Sequence, residues 1–344
     1  MGINGSTTQK AKWVLNKIGR GLRLYYANGS LKACHLLFLH TLRRLFKKDV
    51  PDLITIGVTY RCQCRCVHCS TNVPNREPSS ELDTGQVKSI IDQARKLGIV
   101  RVTFFGGEPL LRSDIVELVR YAHNAGMLTR INTNGWRLDR ELVSSLKAAG
   151  LSLCDVSIDD PDPETHDRLR GLPGLYRKVI AGIKVLGDFN IPCQIVTYAA
   201  KKNISVGLER IIDIGRQLHV FGVSIVFPMA TGCWHKAAHV LLTEPEKQKV
   251  RALGDSAFTH VELPTPGSKC NVLRRTSLYV SPEGDVTPCP FVPYVMGNIK
   301  REKLADIWCR FASITMPAVA GDCVMNDSSF REVLKSAIEN CRHL

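Results

Sequence analysis

From Leu53 to Phe227 the chain alternates six times between a short β-branched apolar run and, in most units, an amphipathic stretch, a rhythm few folds can accommodate. The runs Leu53–Val58, Val100–Phe105, Leu128–Asn132, Leu153–Ile158, Cys193–Tyr198 and Val223–Phe227 read as strands. Between them, helices are expected from an N-cap at Asp83 to Leu97, and over Ser113–Ala125, Leu138–Ala149, Leu175–Phe189 and Val206–Leu218. Gly98, Gly126 and Gly150 close the first three of these helices. Short connections between alternating elements imply an α/β fold with a parallel sheet. Six units are too few for a closed eight-unit barrel, so the expectation is an open, partial (β/α)6 TIM-like barrel. In such barrels the chemistry gathers at the C-terminal ends of the strands.

The flanks differ from this core. Residues 1–50 carry ten Lys or Arg against one acid, a charge of +9 out of +14, which leaves +5 for the rest. Leu37, Phe38, Leu42, Leu45 and Phe46 form an apolar stripe in that segment, so it reads as a basic amphipathic helical extension that either docks on an anionic membrane surface or packs its stripe on the barrel. Each Lys or Arg at such a surface contributes roughly 1 kcal/mol. The opening Met1-Gly2-Ile3-Asn4-Gly5-Ser6 also fits a short myristoylation pattern. No apolar run is long enough to span a bilayer and no secretory signal is evident, so the expected location is cytoplasmic, peripheral at the membrane. Because the basic charge belongs to the extension, no nucleic acid partner is expected. Residues 51–242 form the core. From Thr243 onward the rhythm fails, and Pro264, Pro266, Pro282, Pro288, Pro290 and Pro293 mark 243–344 as a small loop-rich second domain.

Thirteen cysteines is a high and odd number for a large α/β chain, and metal binding in a reducing compartment accounts for it better than a disulfide framework. Four of them lie within eight residues after the first strand, in Cys62-Gln63-Cys64-Arg65-Cys66-Val67-His68-Cys69. Cys62, Cys66 and Cys69 have the spacing C-x3-C-x2-C, which can hold three irons of a [4Fe–4S] cluster and leave the fourth open. Four thiols could also close a zinc site, but that site would use Cys64, which breaks the usual C-x2-C pairing.

Gly106-Gly107-Glu108-Pro109, at the end of the second strand, favours the cluster. Two residues without Cβ let backbone approach a ligand, and Glu108 can accept a hydrogen bond from an ammonium group. On the cysteine triad and this turn, the stretch from Leu53 to Phe227 resembles the radical SAM superfamily. The resemblance implies that Cys62, Cys66 and Cys69 bind a [4Fe–4S] cluster whose open iron chelates S-adenosylmethionine (SAM). It implies that Gly106, Gly107, Glu108 and Pro109 hold the SAM amino group. His68 stands where the family commonly has Tyr or Phe, and an imidazole can still pack beside adenine. Ser157-Ile158-Asp159-Asp160 resembles the family's S-x-D-G with Asp160 in place of Gly, and His166–Gly171 resembles its H-D-x-x-R-G. By that resemblance Ser157 contacts the SAM ribose or carboxylate and Arg170 pairs with the carboxylate.

In the tail, Cys270 is followed by thirteen residues, Gly284, four residues and Cys289, with Gly297-Asn298-Ile299 downstream. This resembles the auxiliary-cluster domains called SPASM and, in shortened form, twitch. Ser281-Pro282-Glu283-Gly284 reads as a hairpin turn that can bring Cys270 and Cys289 together. The dense C-x2-C-x5-C-x3-C run of a full SPASM domain is missing. One auxiliary [4Fe–4S] cluster is therefore expected, on Cys270, Cys289 and Cys323, with Cys309 or Cys341 as a fourth ligand. Cys34, Cys154 and Cys193 read as core residues.

These motifs point to an enzyme that reductively cleaves SAM to a 5′-deoxyadenosyl radical, fed by a low-potential donor such as flavodoxin or ferredoxin. The expected substrate is a small molecule, a sugar, cofactor precursor or lipid. Alternatives are a ribosomal-peptide maturase or, in another class, a non-catalytic zinc or iron–sulfur binding protein. Cys233, just past the sixth strand in Thr231-Gly232-Cys233-Trp234, is placed to donate a hydrogen atom to a substrate radical.

Overall fold

A computed structural model describes residues 51–71, 80–235, 237–255, 257–262, 270–315 and 323–341. The basic extension with its membrane stripe, Cys34 and the side chain of Cys341 lie outside the described residues.

The six expected strands are β1 (Leu53–Thr59), β2 (Arg101–Gly106), β3 (Leu128–Thr133), β4 (Leu153–Ser157), β5 (Cys193–Tyr198) and β6 (Gly222–Val226). They pair side by side in chain order, all parallel. Their helices are α1 (Thr84–Leu97), α2 (Ile115–Asn124), α3 (Arg140–Ala148), α4 (Pro163–Arg170), α5 (Leu175–Asp188) and α6 (Gly207–Gln217). All of these helices except α4, whose buried residues are His166 and Arg170, bury an apolar stripe, as with Val87, Ile90, Ile91 and Ala94 of α1 and Ile115, Leu118, Val119 and Ala122 of α2. Burying side chains of this size contributes about 1.5–3 kcal/mol each for the larger ones. Helix α4 is an element the sequence reading treated only as a motif. Asp162 caps it, Pro163 opens it and Gly171, at φ 64°, ends it.

The parallel array is wider than expected. Within the 243–344 region, α7 (Glu244–Ala252) leads to β7 (Thr259–Glu262), which adds in parallel to β6, and β8 (Ser277–Val280) adds in parallel to the free side of β1. β9 (Asp285–Thr287) and β10 (Gly297–Asn298) continue antiparallel beyond β8, so the sheet runs β10-β9-β8-β1-β2-β3-β4-β5-β6-β7 and does not close. The partial barrel is confirmed, with both flanks supplied by the tail. Two helices, α8 (Leu304–Ser313) and α9 (Ser328–Cys341), follow, so the region is less loop-rich than its prolines suggested. Strands of four residues or fewer escaped the sequence reading because they show too little periodicity.

The expected hairpin turn is present. Ser281 N–H donates to Asp285 O at 2.8 Å, and Gly284 adopts φ 95°.

Register places polar side chains in rows facing inward. Thr55, Thr103 and Arg130 pair across β1, β2 and β3, while Asn132 pairs with Asp155 across β3 and β4. Residues in register share a face, so these side chains line the barrel interior together.

Asp83 tests the local reading. Its carboxylate accepts from Gln86 N–H at 2.8 Å while the Gln86 side chain accepts from Asp83 N–H at 2.9 Å, a complete capping box. Asp83→Ala should cost about 1 kcal/mol. The checking measurement is urea unfolding, with a lower midpoint and an unchanged m-value.

Candidate active site

β1 ends at Thr59 and the chain passes directly into the cysteine loop. Gly107 N–H donates to Thr59 O at 2.7 Å and Glu108 N–H to Arg61 O at 2.8 Å, so the end of β2 is stacked on the root of that loop. A Cβ on Gly106, which has φ +137°, would lie 2.3 Å from Thr59 O, and one on Gly107 would lie 2.4 Å from Arg61 O. The two glycines therefore serve backbone-to-backbone contact inside the protein, a use the sequence reading had given to an incoming ligand.

The last turn of α4 holds the middle of the loop. Arg65 N–H donates to Arg170 O at 2.8 Å and Val67 N–H to Leu169 O at 3.0 Å, satisfying carbonyls that a helix end leaves unpaired. A short 3-10 turn, Gly232–Trp234, holds the far end, with Cys233 N–H donating to Cys69 O at 2.9 Å.

Cys62, Cys66 and Cys69 line one chamber of about 860 Å3 at the C-terminal ends of the strands, together with Gly106, Gly107 and Ser157. Cys64 is buried and shares hydrogen bonds with Cys62 and Cys66. Those bonds push the Cys64 thiol up, and the Cys64 bond is the largest cause holding Cys66 down at about 7, against burial. Polar groups surround the other sulfurs. Asn134 Nδ2 donates to Cys62 Sγ at 3.8 Å, Arg170 Nη1 to Cys66 Sγ at 3.8 Å, and Thr71 Oγ1 lies 3.5 Å from Cys69 Sγ. Three thiols on one chamber, two of them facing hydrogen-bond donors, form a donor set that fits an iron–sulfur cluster.

Glu108 has partners within the protein. It is 1% exposed, with Oε1 accepting from Leu110 N–H at 3.0 Å and Thr133 Oγ1 at 2.7 Å, and Oε2 from Asn134 N–H at 2.7 Å. Burial pushes this carboxyl up while the three donors pull it back. Its oxygens bind the end of β2 to the end of β3. Pro109 is likewise buried, opening the short turn Pro109–Leu111.

Arg170 lines the chamber as well. Its Nε and Nη2 grip Asp159 at 2.5 and 3.0 Å, and its third nitrogen, Nη1, points at Cys66. His68, 7% exposed, stands with Nε2 3.3 Å from Asp159 Oδ2, between Tyr198 and Trp234 at ring distances of 4.7 and 5.7 Å. Burial pushes the imidazole down to about 4, so it is neutral near pH 7. For Asp159 burial acts upward, but the charges of Arg170 and His68 outweigh it and hold the carboxyl at about 2.

Comparison with known proteins gives this geometry a family. The radical SAM superfamily profile matches residues 56–204, and an iron–sulfur cluster-binding domain, SPASM, matches 270–343. The AdoMet-dependent heme synthase of Nitratidesulfovibrio vulgaris is 34% identical over 287 residues, spanning 74% of this chain and 78% of that protein. The chain belongs to the radical SAM superfamily. The AdoMet-dependent heme synthase of Methanosarcina barkeri is 29% identical over 76% of this chain and 82% of its own. A PqqA peptide cyclase of Xanthomonas campestris is 26% identical, covering 79% of each. Among solved structures, Streptococcus suis SuiB bound to S-adenosylmethionine shares the fold at a TM-score of 0.64 and 16% identity, over 86% of this chain and 71% of that one.

With the superfamily come its cofactors, a [4Fe–4S] cluster and SAM, and the SPASM domain adds iron–sulfur binding in the tail. There, burial pushes the Cys289 thiol well up, and Cys323 and Cys270 act on it in the same direction. Cys270, Cys289 and Cys323 all pack against the hydrophobic core. Cys309 stands exposed on α8, whose buried residues are Leu304, Ile307, Trp308 and Phe311, so its position lends no support to a fourth-ligand role. Cys154 and Cys193 are buried in the core as expected. Cys233 is exposed and lines the chamber.

The sequence reading missed Thr133, Asn134, Tyr198 and Trp234. Thr133-Asn134-Gly135 ends the third strand, so the rule that chemistry gathers at strand ends could have found it. The Arg130–Asp155 pair was also missed, because nothing local in sequence joins two strands.

Asp159 offers a pH test. A folded-state carboxyl held near 2 against an ordinary 3.8 contributes stability that is complete above 3.8 and lost as pH falls toward 2. The gap in urea midpoint between wild type and Asp159→Asn should be widest near neutral pH and close across that window.

Proposed function

We propose that Cys62, Cys66 and Cys69 ligate the radical SAM cluster of this enzyme, that Cys270, Cys289 and Cys323 ligate one auxiliary cluster, and that the substrate is a small molecule of the cofactor-precursor class. When bound and reduced by a low-potential flavodoxin or ferredoxin, the cluster and SAM supply a 5′-deoxyadenosyl radical that abstracts hydrogen from the substrate. The protein's own part is placement. The Gly106-Gly107 stack fixes the loop, Ser157 faces the chamber where it would contact SAM, and His68 and Tyr198 line the chamber with Trp234 packed against both rings.

The observation that carries the small-molecule reading is the chamber floor. Arg130 and Asp155 form a bidentate pair at 2.5 and 2.6 Å on neighbouring strands, with the Thr103 side chain in the same layer. A floor of fixed charge and hydroxyl suits a compact substrate with carboxylate or hydroxyl groups. The heme synthase relatives agree with that reading. The peptide cyclase relatives favour a second one, maturation of a ribosomal peptide.

Anaerobically reconstituted protein should bind about eight irons in two four-iron clusters, and the Cys62/Cys66/Cys69→Ala triple variant about four. A triple variant that keeps the full iron load would overturn the ligand assignment. Substrate class is read from 5′-deoxyadenosine formation stimulated by cell extract. Stimulation that survives exhaustive proteolysis of the extract supports the small molecule, whereas loss on proteolysis selects the peptide reading.

Within this reading Cys233 is the hydrogen-atom donor. Its S–H bond breaks as the product C–H forms, and the resulting thiyl recovers one electron, from the low-potential donor, and one proton. Normal product at a normal rate from Cys233→Ser would remove the role.

A further inference from the structure

On the inner face of β3 three side chains stand one above another. Arg130, Asn132 and Asn134 are spaced two residues apart and all line the chamber, so they climb from its floor in steps of roughly 7 Å. Two of them are engaged at either end. Arg130 is gripped by Asp155 at the floor, and Asn134 Nδ2 donates to Cys62 Sγ at the level of the cysteine loop. Asn132 lies between. Its side-chain oxygen is buried and takes no hydrogen bond from any described residue.

A buried acceptor without a donor is costly, and folded proteins leave few of them. The strand neighbours of Asn132 do not supply one. Asp155, its partner across β3 and β4, is itself an acceptor held by Arg130. On the other side Phe104 pairs with Ile131, which sets the Phe105 ring beside Asn132. The last torsion of an Asn side chain is broad, so the amide can turn its oxygen onto a donor that enters the chamber. Height separates the two visitors a chamber of this kind receives. Ser157, the expected SAM contact, lies two residues beyond Asp155 on β4, as Asn134 lies two beyond Asn132 on β3. Asn132 is one step deeper than that level and above the Arg130–Asp155 floor, in the layer left for substrate.

We propose that Asn132 is a specificity-determining residue: its side-chain oxygen accepts a hydrogen bond from an N–H or O–H group of the substrate and so fixes which face of a compact molecule turns toward SAM. This rests on the small-molecule reading of the chamber. The consequence is discrimination against analogues that lack the donor, since they leave the same oxygen unpaired.

The probe is the small-molecule fraction of protease-digested extract from cells grown in heavy water, given with SAM and reductant to the full-length reconstituted enzyme. Abstraction breaks a substrate C–D bond and forms one at the 5′ carbon, so 5′-deoxyadenosine gains a deuterium, and mass spectrometry reads the labelled fraction. Asn132→Leu, an apolar side chain of nearly the same shape, should lower that fraction about tenfold. Its iron load, and its SAM affinity by equilibrium dialysis, should be retained. Because the change removes an unpaired buried acceptor, the urea midpoint should equal or exceed that of wild type, which a merely structural Asn132 would not allow. Where Asn132→Leu does not load its clusters or unfolds earlier, Asn132→Ser and Asn132→Ala, which differ by one oxygen, carry the test, with more label expected in the Ser variant. An unchanged labelled fraction in Asn132→Leu, or equal fractions in the Ser and Ala variants, overturns the proposal. So does a collapse of SAM affinity in loaded Asn132→Leu, which assigns the oxygen to SAM. Wild type that takes no label from the digested extract defeats the small-molecule reading and the proposal with it, a failure seen before any variant is made and so distinguishable from the others.

Discussion

The site depends on a contact between two stretches of backbone. At Gly106 and Gly107 the end of β2 lies so close to Thr59–Arg61 that no Cβ fits between them. This contact turns a flexible cysteine-rich loop into a fixed one, because the two N–H groups that follow donate into its root. Everything further out inherits that position. Arg65 and Val67 reach α4 only if the loop leaves β1 in this direction, and Cys69 meets the Gly232–Trp234 turn only if the loop returns to the strand ends. A second glycine-dependent approach completes the frame, since a Cβ on Gly232 would lie 2.1 Å from Cys69 O. Backbone geometry thereby fixes the loop that lines the chamber with Cys62, Cys66 and Cys69.

Two buried carboxylates then carry the electrostatics, by different means. Glu108 is surrounded by neutral donors, and its pKa stays raised because burial outweighs those hydrogen bonds and the more distant charge of Arg170. Asp159 is matched by a full positive charge and is driven the other way, to about 2. Replacing a buried pair by apolar residues often leaves stability unchanged, so the Asp159–Arg170 pair is poorly explained as a stabilising device. Its direction is informative instead, because a pair kept at the edge of a thiol triad fixes a charge in space where packing alone could not.

Most of the barrel was legible in the sequence because its parallel strands are rich in buried apolar residues and most of its helices carry an apolar stripe. Asp83 and Gly98 bounded α1 as expected, and the C-x3-C-x2-C spacing marked the loop without help from the fold. The protein partners of Glu108 and Arg170 were not legible, since a motif states which residue is present and is silent on which side chains the fold brings to it. Thr133 and Asn134 lie 25 and 26 residues from Glu108, and Asp159 lies 11 from Arg170, so only the folded chain shows those charges already engaged. β7 and β8 were hidden for a related reason: each gains its stability from the long strand beside it, and a run of four residues has no period of its own to read.

That dependence explains why the tail cannot be treated as an appendage. β8 lies against β1, the strand that feeds the cysteine loop, and β7 lies against β6, the strand that feeds the Gly232–Trp234 turn. The tail therefore buttresses both strands from which the loop is clamped. Side chains repeat the connection. Asn326, three residues beyond Cys323, accepts from Ala230 N–H at 2.9 Å and donates to Pro228 O at 3.2 Å, while Thr231 Oγ1 donates to Phe291 O at 3.0 Å. Pro290 and Phe291 line the chamber and Cys289 directly precedes them, so the start of the tail hairpin's return adjoins the chamber wall. A shift of the hairpin would move that wall, the Cys233 turn and the grip on Cys69 together.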